Sequence, residues 1–383
     1  MKMFLSSDLK ALIDHPVGTC VSLYMPMHLS GGDVQQDPIR LKNLVSQAEK
    51  SLVAAGHKPA AAKQLLAPAH ELLASDLFWR QHCSGLALFV APEFFKYYRL
   101  PVKVEELVLV NDRFHVKPLV KLVSNDGRYF VLALSMNKVR LLDATQYSVR
   151  EIILTDAPDN LEDSLPESVH ERQLLFHSEG PRAGGNQGSV YYGAGPGSED
   201  NKDNLTRYFR QIDKVMSNYK KGRRVPMVLA GVDYLLPLYR EVNSHFPLLD
   251  QGVVGNPDTL SAEQLRDKAW QVVEPYFSKG RETAARTYRD LDNGSRATNE
   301  VAQAVIAAMQ GKVDTLFVPS GGQQWGRVDT ATGSVEMHPV RQAHDIDLLD
   351  FATVQTLTKN GAVYVVEPGQ VPGGGPIAAI YRF

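Results

Sequence analysis

Cysteine is scarce. Cys20 and Cys83 are the two cysteines in 383 residues, too few for a disulfide framework or a cysteine-rich zinc site. The opening Met1-Lys2-Met3-Phe4-Leu5-Ser6-Ser7-Asp8 has no apolar stretch of signal-peptide length. No run approaches the about 18 uncharged apolar residues that a bilayer helix requires. A reducing cytoplasm and no membrane partner are the expectation. Charge of one sign is missing as well: 41 basic and 43 acidic side chains leave a net charge of −2, whereas a duplex-binding domain carries a clear positive excess. No DNA partner is expected, and any nucleic-acid contact must sit on one element. The chain also lacks G-x-x-x-x-G-K-[ST], HExxH and a G-x-S-x-G elbow, and Gly193-Ala194-Gly195-Pro196-Gly197 lacks the spacing of a dinucleotide fingerprint. No cofactor and no metal are expected.

What remains is an average soluble composition, 44% hydrophobic and 22% charged with 29 Gly, which excludes global disorder and fibrous repeats. At roughly 100 to 200 residues per domain the length predicts two or three domains, and the pattern divides it at 1–114, 115–276 and 277–383. The first division reads as a small α/β unit. It has a short helix capped by Ser7, a strand Cys20–Met25 and a helix from Pro38 with Asp37 as N-cap. More helix is predicted at Leu72–Trp79, with buried strands at Leu86–Val90 and Leu107–Val110. From Lys117-Pro118-Leu119 the pattern turns to β-runs, forming an antiparallel meander Tyr129–Ser135, Val139–Asp143 and Ser148–Ile153. A long aperiodic segment follows, then a helix, a strand Met227–Ala230 and a helix from Tyr234. A helix from Ser261 leads through a charged stretch to a compact α/β sandwich with helices at 298–310 and 348–360 and strands at 315–319, 362–366 and 377–381.

The segment 178–197 holds seven glycines and two prolines, a composition that forms neither helix nor strand interior. It can present backbone N–H groups and an amide side chain to a crowded partner, or serve as a plain flexible insertion. In the helix that follows, Leu205, Tyr208, Phe209, Ile212, Val215 and Met216 share one face. Arg207, Arg210 and Lys214 fall within roughly 60° of each other on the opposite face, a stripe suited to a phosphodiester backbone or to solvent alone. Lys220, Lys221, Arg223 and Arg224 extend the positive charge. A second glycine motif, Ser320-Gly321-Gly322-Gln323-Gln324, reads as a tight turn after a strand. His344, Asp345, Asp347 and Asp350 precede a helix, where one acid is expected to cap it.

Three stretches together resemble the archaeo-eukaryotic class-1 translation release factor and its paralogue Pelota, specifically the bacterial relatives of that family. The first is Val21-Ser22-Leu23-Tyr24-Met25-Pro26 with Asp37-Pro38-Ile39-Arg40-Leu41-Lys42-Asn43-Leu44. The second runs from Lys117-Pro118-Leu119 through the meander and the glycine-rich segment to Val228-Leu229-Ala230-Gly231. The third comprises Val313–Val318, Gly361–Val366 and Gly375–Phe383. The resemblance implies α/β and α+β architecture in three domains: a small α/β N-terminal unit, a ribonuclease-H-like middle domain with a mixed sheet, and a compact α/β sandwich at the C-terminus.

In that family a Gly-Gly-Gln tip of the middle domain enters the ribosomal peptidyl-transferase centre and promotes hydrolysis of peptidyl-tRNA. The resemblance implies that Gly184, Gly185 and Gln187 form the tip, with Arg182, Arg207, Arg210 and Lys214 on RNA. Here Asn186 separates the glycines from Gln187, displacing the amide by one residue, about 3.3 Å. Gly321-Gly322-Gln323 lies in the C-terminal division, where the family does no chemistry, and no stop-codon-reading motif is present, so decoding is not expected. Three readings stand. The first is a cytoplasmic factor binding ribosome and tRNA and hydrolysing peptidyl-tRNA in rescue. The second is a non-catalytic adaptor with a protein partner on its C-terminal domain. The third is a metal-dependent hydrolase or nuclease using Asp126 and Asp143, two acids at turn or strand-end positions that solvation alone explains.

Overall fold

The computed structural model describes residues 4–29, 32–81, 83–123, 127–164, 199–219, 225–291 and 294–383. Two compact units result: residues 1–127 with 277–383, and residues 128–276.

The first unit opens with helix α1 (Ser6–Ile13). Ser7 lies inside it rather than capping it, and the Asp8 carboxylate accepts the Leu5 N–H at 3.0 Å. Strand β1 (Cys20–Pro26) is followed by α2 (Asp37–Ala54), α3 (Pro59–Leu65), α4 (Ala67–Leu73) and α5 (Asp76–Trp79). Asp37 is the first helical residue, not the cap. Its buried carboxylate instead accepts the His28 N–H at 3.0 Å and meets His28 Nδ1 at 2.9 Å. The helix read over Leu72–Trp79 breaks at Ser75, whose hydroxyl accepts the Phe78 N–H and so starts a new turn.

Strands β2 (Gly85–Ala91), β3 (Phe94–Leu100) and β4 (Leu107–Asn111) complete an antiparallel sheet of order β3-β2-β1-β4. Its alternate residues serve two cores. Val21, Leu23, Met25, Leu86 and Leu88 pack with Leu41, Leu44 and Leu52 of α2, while Tyr24, Ala87 and Phe89 join residues such as Ala304, Leu316 and Leu349 from the C-terminal part of the chain. A strand buried on both faces reads as a continuous apolar run, which is why β1 and β2 were legible. Helix α6 (Lys117–Val123) precedes the β-runs and was not read from the sequence.

The second unit is built on β5 (Tyr129–Leu134), β6 (Val139–Ala144), β7 (Val149–Ile152), β8 (Met227–Gly231) and β9 (Val253–Val254). The order β7-β6-β5-β8-β9 combines the expected antiparallel meander with parallel β5–β8 and β8–β9 pairs, a mixed sheet. On one face, helices α7 (Glu199–Met216) and α8 (Leu235–Val242) cover Phe130, Leu132, Leu134 and Leu229. Helix α9 (Ala262–Leu291) covers the other face through its first half: Tyr129 donates its hydroxyl to the Arg266 carbonyl at 3.0 Å and its ring lies 6.0 Å from Trp270. At its start Ser261 Oγ accepts the Gln264 N–H at 3.2 Å and Gln264 Oε1 accepts the Ser261 N–H at 2.9 Å, a reciprocal cap.

The remainder of the first unit holds β10 (Ala297–Thr298), α10 (Val301–Met309), β11 (Val313–Pro319), β12 (Trp325–Asp329), β13 (Ser334–His338), β14 (Ile346–Asp347), α11 (Leu348–Thr358), β15 (Ala362–Val366) and β16 (Ala378–Tyr381). One sheet has the order β10-β16-β11-β15, and a small antiparallel sheet the order β13-β12-β14. All the sheets are open, and the architecture is mixed α/β as expected. No helix among the described residues is long and apolar enough to cross a membrane.

Candidate functional site

Helix α7 separates its two faces sharply. Leu205, Tyr208, Phe209, Ile212, Val215 and Met216 are all buried, and their spacing locks the helix onto the sheet. Arg207, Arg210 and Lys214 are exposed on the opposite side. An acid on the same helix does not neutralise them: Asp213 points inward, accepting the Ser244 hydroxyl at 2.6 Å with His245 Nε2 at 3.7 Å. Among the described residues, none of the three cations enters an ion pair. The stripe is therefore open to an anionic partner, held by a helix whose own packing leaves it no freedom to turn away.

Arg182, Gly184, Gly185 and Gln187 lie outside the described residues, as do Lys220, Lys221, Arg223, Arg224 and Asp126. Asp143, the one of the two acids singled out for metal chemistry that is described, has other employment. Asp143 is buried and takes Arg128 on both oxygens at 2.7 and 2.9 Å, with Arg150 adding a third contact at 3.0 Å. A carboxylate bonded this way is a structural ion pair, not a vacant ligand. Gly322 has φ of 70°, so Ser320-Gly321-Gly322 makes the tight turn its sequence suggested.

The four residues 344–350 diverge. His344 is exposed. Asp345 accepts the Gln342 N–H at 2.8 Å and pairs with His338 Nδ1 at 3.0 Å. Asp347 is the N-cap of α11, accepting the Leu349 N–H at 3.1 Å. Its other oxygen meets His115 Nε2 at 3.1 Å and Lys117 Nζ at 3.2 Å, both side chains fully buried. Asp350 accepts the N–H groups of Val116 and Lys117 at 2.8 and 2.6 Å. Burial alone would push the Asp347 carboxyl up, but the His115 hydrogen bond, the Lys117 charge and the Gln324 N–H outweigh it and hold the group below the usual carboxylate range. Burial dominates at Asp350, three residues on, and drives its carboxyl above that range. No grouping of His, Cys, Asp and Glu among the described residues has the arrangement of a metal site. Sequence reasoning missed His115 and Lys117 because their partner lies more than 200 positions away, and no local pattern encodes that distance.

The second unit matches a known family model. Residues 129–275 match the model of the bacterial archaeo-eukaryotic release factor family 7. The resemblance read from the sequence is thus borne out over that segment, which is of the release-factor class. No curated protein matches the chain. Among solved structures, the chain is similar to archaeal Pelota from a ribosome-bound complex with ABCE1 at 10% identity, covering 100% of this chain and 95% of that one with a TM-score of 0.38. It is similar to the archaeal translation termination factor aRF1 at 15% identity, covering 98% and 96% with a TM-score of 0.23. Dom34 of S. cerevisiae aligns at 10% identity over 78% and 79% with a TM-score of 0.34. These likenesses are remote, and the assignment of the central segment stands on the family match alone.

Proposed function

We propose that this protein is a cytoplasmic factor of translation that binds the ribosome and tRNA and acts on stalled peptidyl-tRNA. The observation that carries the reading is the open row of Arg207, Arg210 and Lys214 on α7, which follows the glycine-rich stretch directly within a segment matched to a release-factor family. Three phosphate contacts from one rigid helix would fix the register of an acceptor stem without reading its sequence. Arg182, Gly184, Gly185 and Gln187 are the proposed tip. The glycines admit close backbone approach, and a backbone N–H with a neutral amide positions water and stabilises a developing oxyanion without a titrating group. The three-domain division at 1–114, 115–276 and 277–383 is part of the same proposal.

The insertion of Asn186 between Gly185 and Gln187 favours a second reading, a non-hydrolytic adaptor that keeps the RNA-binding surface and recruits a protein through its C-terminal domain. Co-sedimentation with ribosomes, combined with peptide release from stalled complexes, separates the two. Release that falls in Gln187→Ala supports the hydrolase. Binding without release, retained when 182–197 is deleted, supports the adaptor. Absence of ribosome and tRNA binding removes both.

A further inference from the structure

The first unit contains a cleft of about 910 Å³ formed by β4, the loop after it, β12, the loop before β14 and α11. Its size falls within the roughly 300 to 1,000 Å³ range of small-molecule sites, and the release-factor reading makes no use of it. We infer that this cleft binds a phosphorylated small molecule of mononucleotide size.

Three independent features support the assignment. First, Arg113 and Arg341 line the cleft and enter no ion pair among the described residues. The Arg341 guanidinium lies 5.0 Å from the centroid of the Trp325 ring, an arrangement that pre-orients its fork for a phosphate. Second, part of the lining is apolar: Val328, Ile346, Phe351 and Val354, all packed on the same core, offer a surface on which a base can lie. Third, His115 lines the cleft with a side chain 2% exposed. Its Nε2 is committed to Asp347, and its Nδ1 has no partner among the described residues. A buried ring nitrogen left unpaired is costly, which leaves this lining residue incompletely satisfied.

Two of the three acids on the cleft are already committed to other partners. Asp347 is bonded to His115 and Lys117, and Asp350 to two backbone N–H groups. Asp112 is the one exposed acid on the lining, while Arg327 is held by Asp345 at 3.4 Å and takes no part. A phosphate here would be gripped by side chains, since Gly18 is the one glycine on the lining and no glycine-rich loop borders it.

Equilibrium dialysis of the full chain tests the inference with ATP, GMP and AMP as probes. Inorganic phosphate and a 5′-phosphorylated single-stranded RNA serve as separate arms. At least one mononucleotide is expected to bind in the micromolar range, more tightly than phosphate alone. The Arg113→Ala/Arg341→Ala variant is expected to weaken it by about tenfold to a hundredfold. Arg113→Lys/Arg341→Lys, which keeps the charge and the fold but loses the fork, is expected to fall between. Arg210→Ala on the second unit is expected to leave mononucleotide affinity unchanged. The inference is overturned if no mononucleotide binds at about 1 mM. It is equally overturned if binding survives loss of both arginines in a folded protein, or if the RNA binds and mononucleotides do not.

Discussion

Two aspartates three residues apart occupy opposite electrostatic situations, and replacing each by asparagine separates them. Asp347 sits 3.2 Å from Lys117 Nζ, a gross attraction of about 5 kcal/mol at an effective dielectric of about 20. Dehydration of both charges offsets most of it in the wild type. Asp347→Asn removes one charge and leaves the other buried without its counterion, which costs about 3–5 kcal/mol. The asparagine oxygen still caps Leu349, so helix capping changes little and no cavity opens. The loss is therefore electrostatic. Native-state hydrogen exchange of peptides covering 116–123 and 348–358 reads it locally, as a protection loss of about two to three and a half decades. Protection within about 1 kcal/mol of wild type would refute the reasoning, since it would mean that Lys117 does not depend on this carboxylate.

The pH dependence follows from the same pair. The Asp347 carboxyl is held low, so its contribution is complete above the unfolded value near about 3.9 and is lost as pH falls through the folded value. Asp350 is raised, so its contribution is complete below about 3.9 and is lost as pH rises through its folded value. Urea titrations from acid to neutral pH are expected to show Asp350→Asn gaining on wild type as pH rises, because its amide oxygen still accepts the Val116 and Lys117 N–H groups; a constant difference contradicts this. Gly326→Ala would drive its Cβ onto the Glu336 carbonyl and to within 2.7 Å of Leu348 Cδ1, an expected loss of about 1–3 kcal/mol. A melting temperature equal to wild type would show that the β12–β13 backbone can yield. Arg207→Ala/Arg210→Ala/Lys214→Ala is expected to fold normally and to lower the slope of log affinity for tRNA against log salt by about 2–3. An unchanged slope would mean that this face does not touch phosphate.

The strands that were legible in the sequence are those buried on both faces. Gly85–Ala91 and Tyr129–Leu134 are wholly buried, and an uninterrupted apolar run announces such a strand without any knowledge of its neighbours. The edge strand Phe94–Leu100 is for the most part only half-buried, and its aromatic and basic residues mimic a loop. The hairpin Trp325–Asp329 and Ser334–His338 is largely exposed, so its residues carry no core signal. Asp37 had the residue type and position of a cap, but tertiary pairing with His28 claimed its carboxylate. The cationic face of α7 was readable because helical periodicity is local. The His115, Lys117 and Asp347 cluster was not, because its members meet only after the N- and C-terminal parts of the chain share one core.

Peptide release from stalled ribosomal complexes probes the central reading most directly, with wild-type protein compared against Gln187→Ala and the α7 triple variant at equal ribosome occupancy. The proposed rescue activity requires release by the wild type, a strong loss in Gln187→Ala with binding retained, and weakened binding in the triple variant. Release from Gln187→Ala as fast as from wild type would contradict the assigned tip.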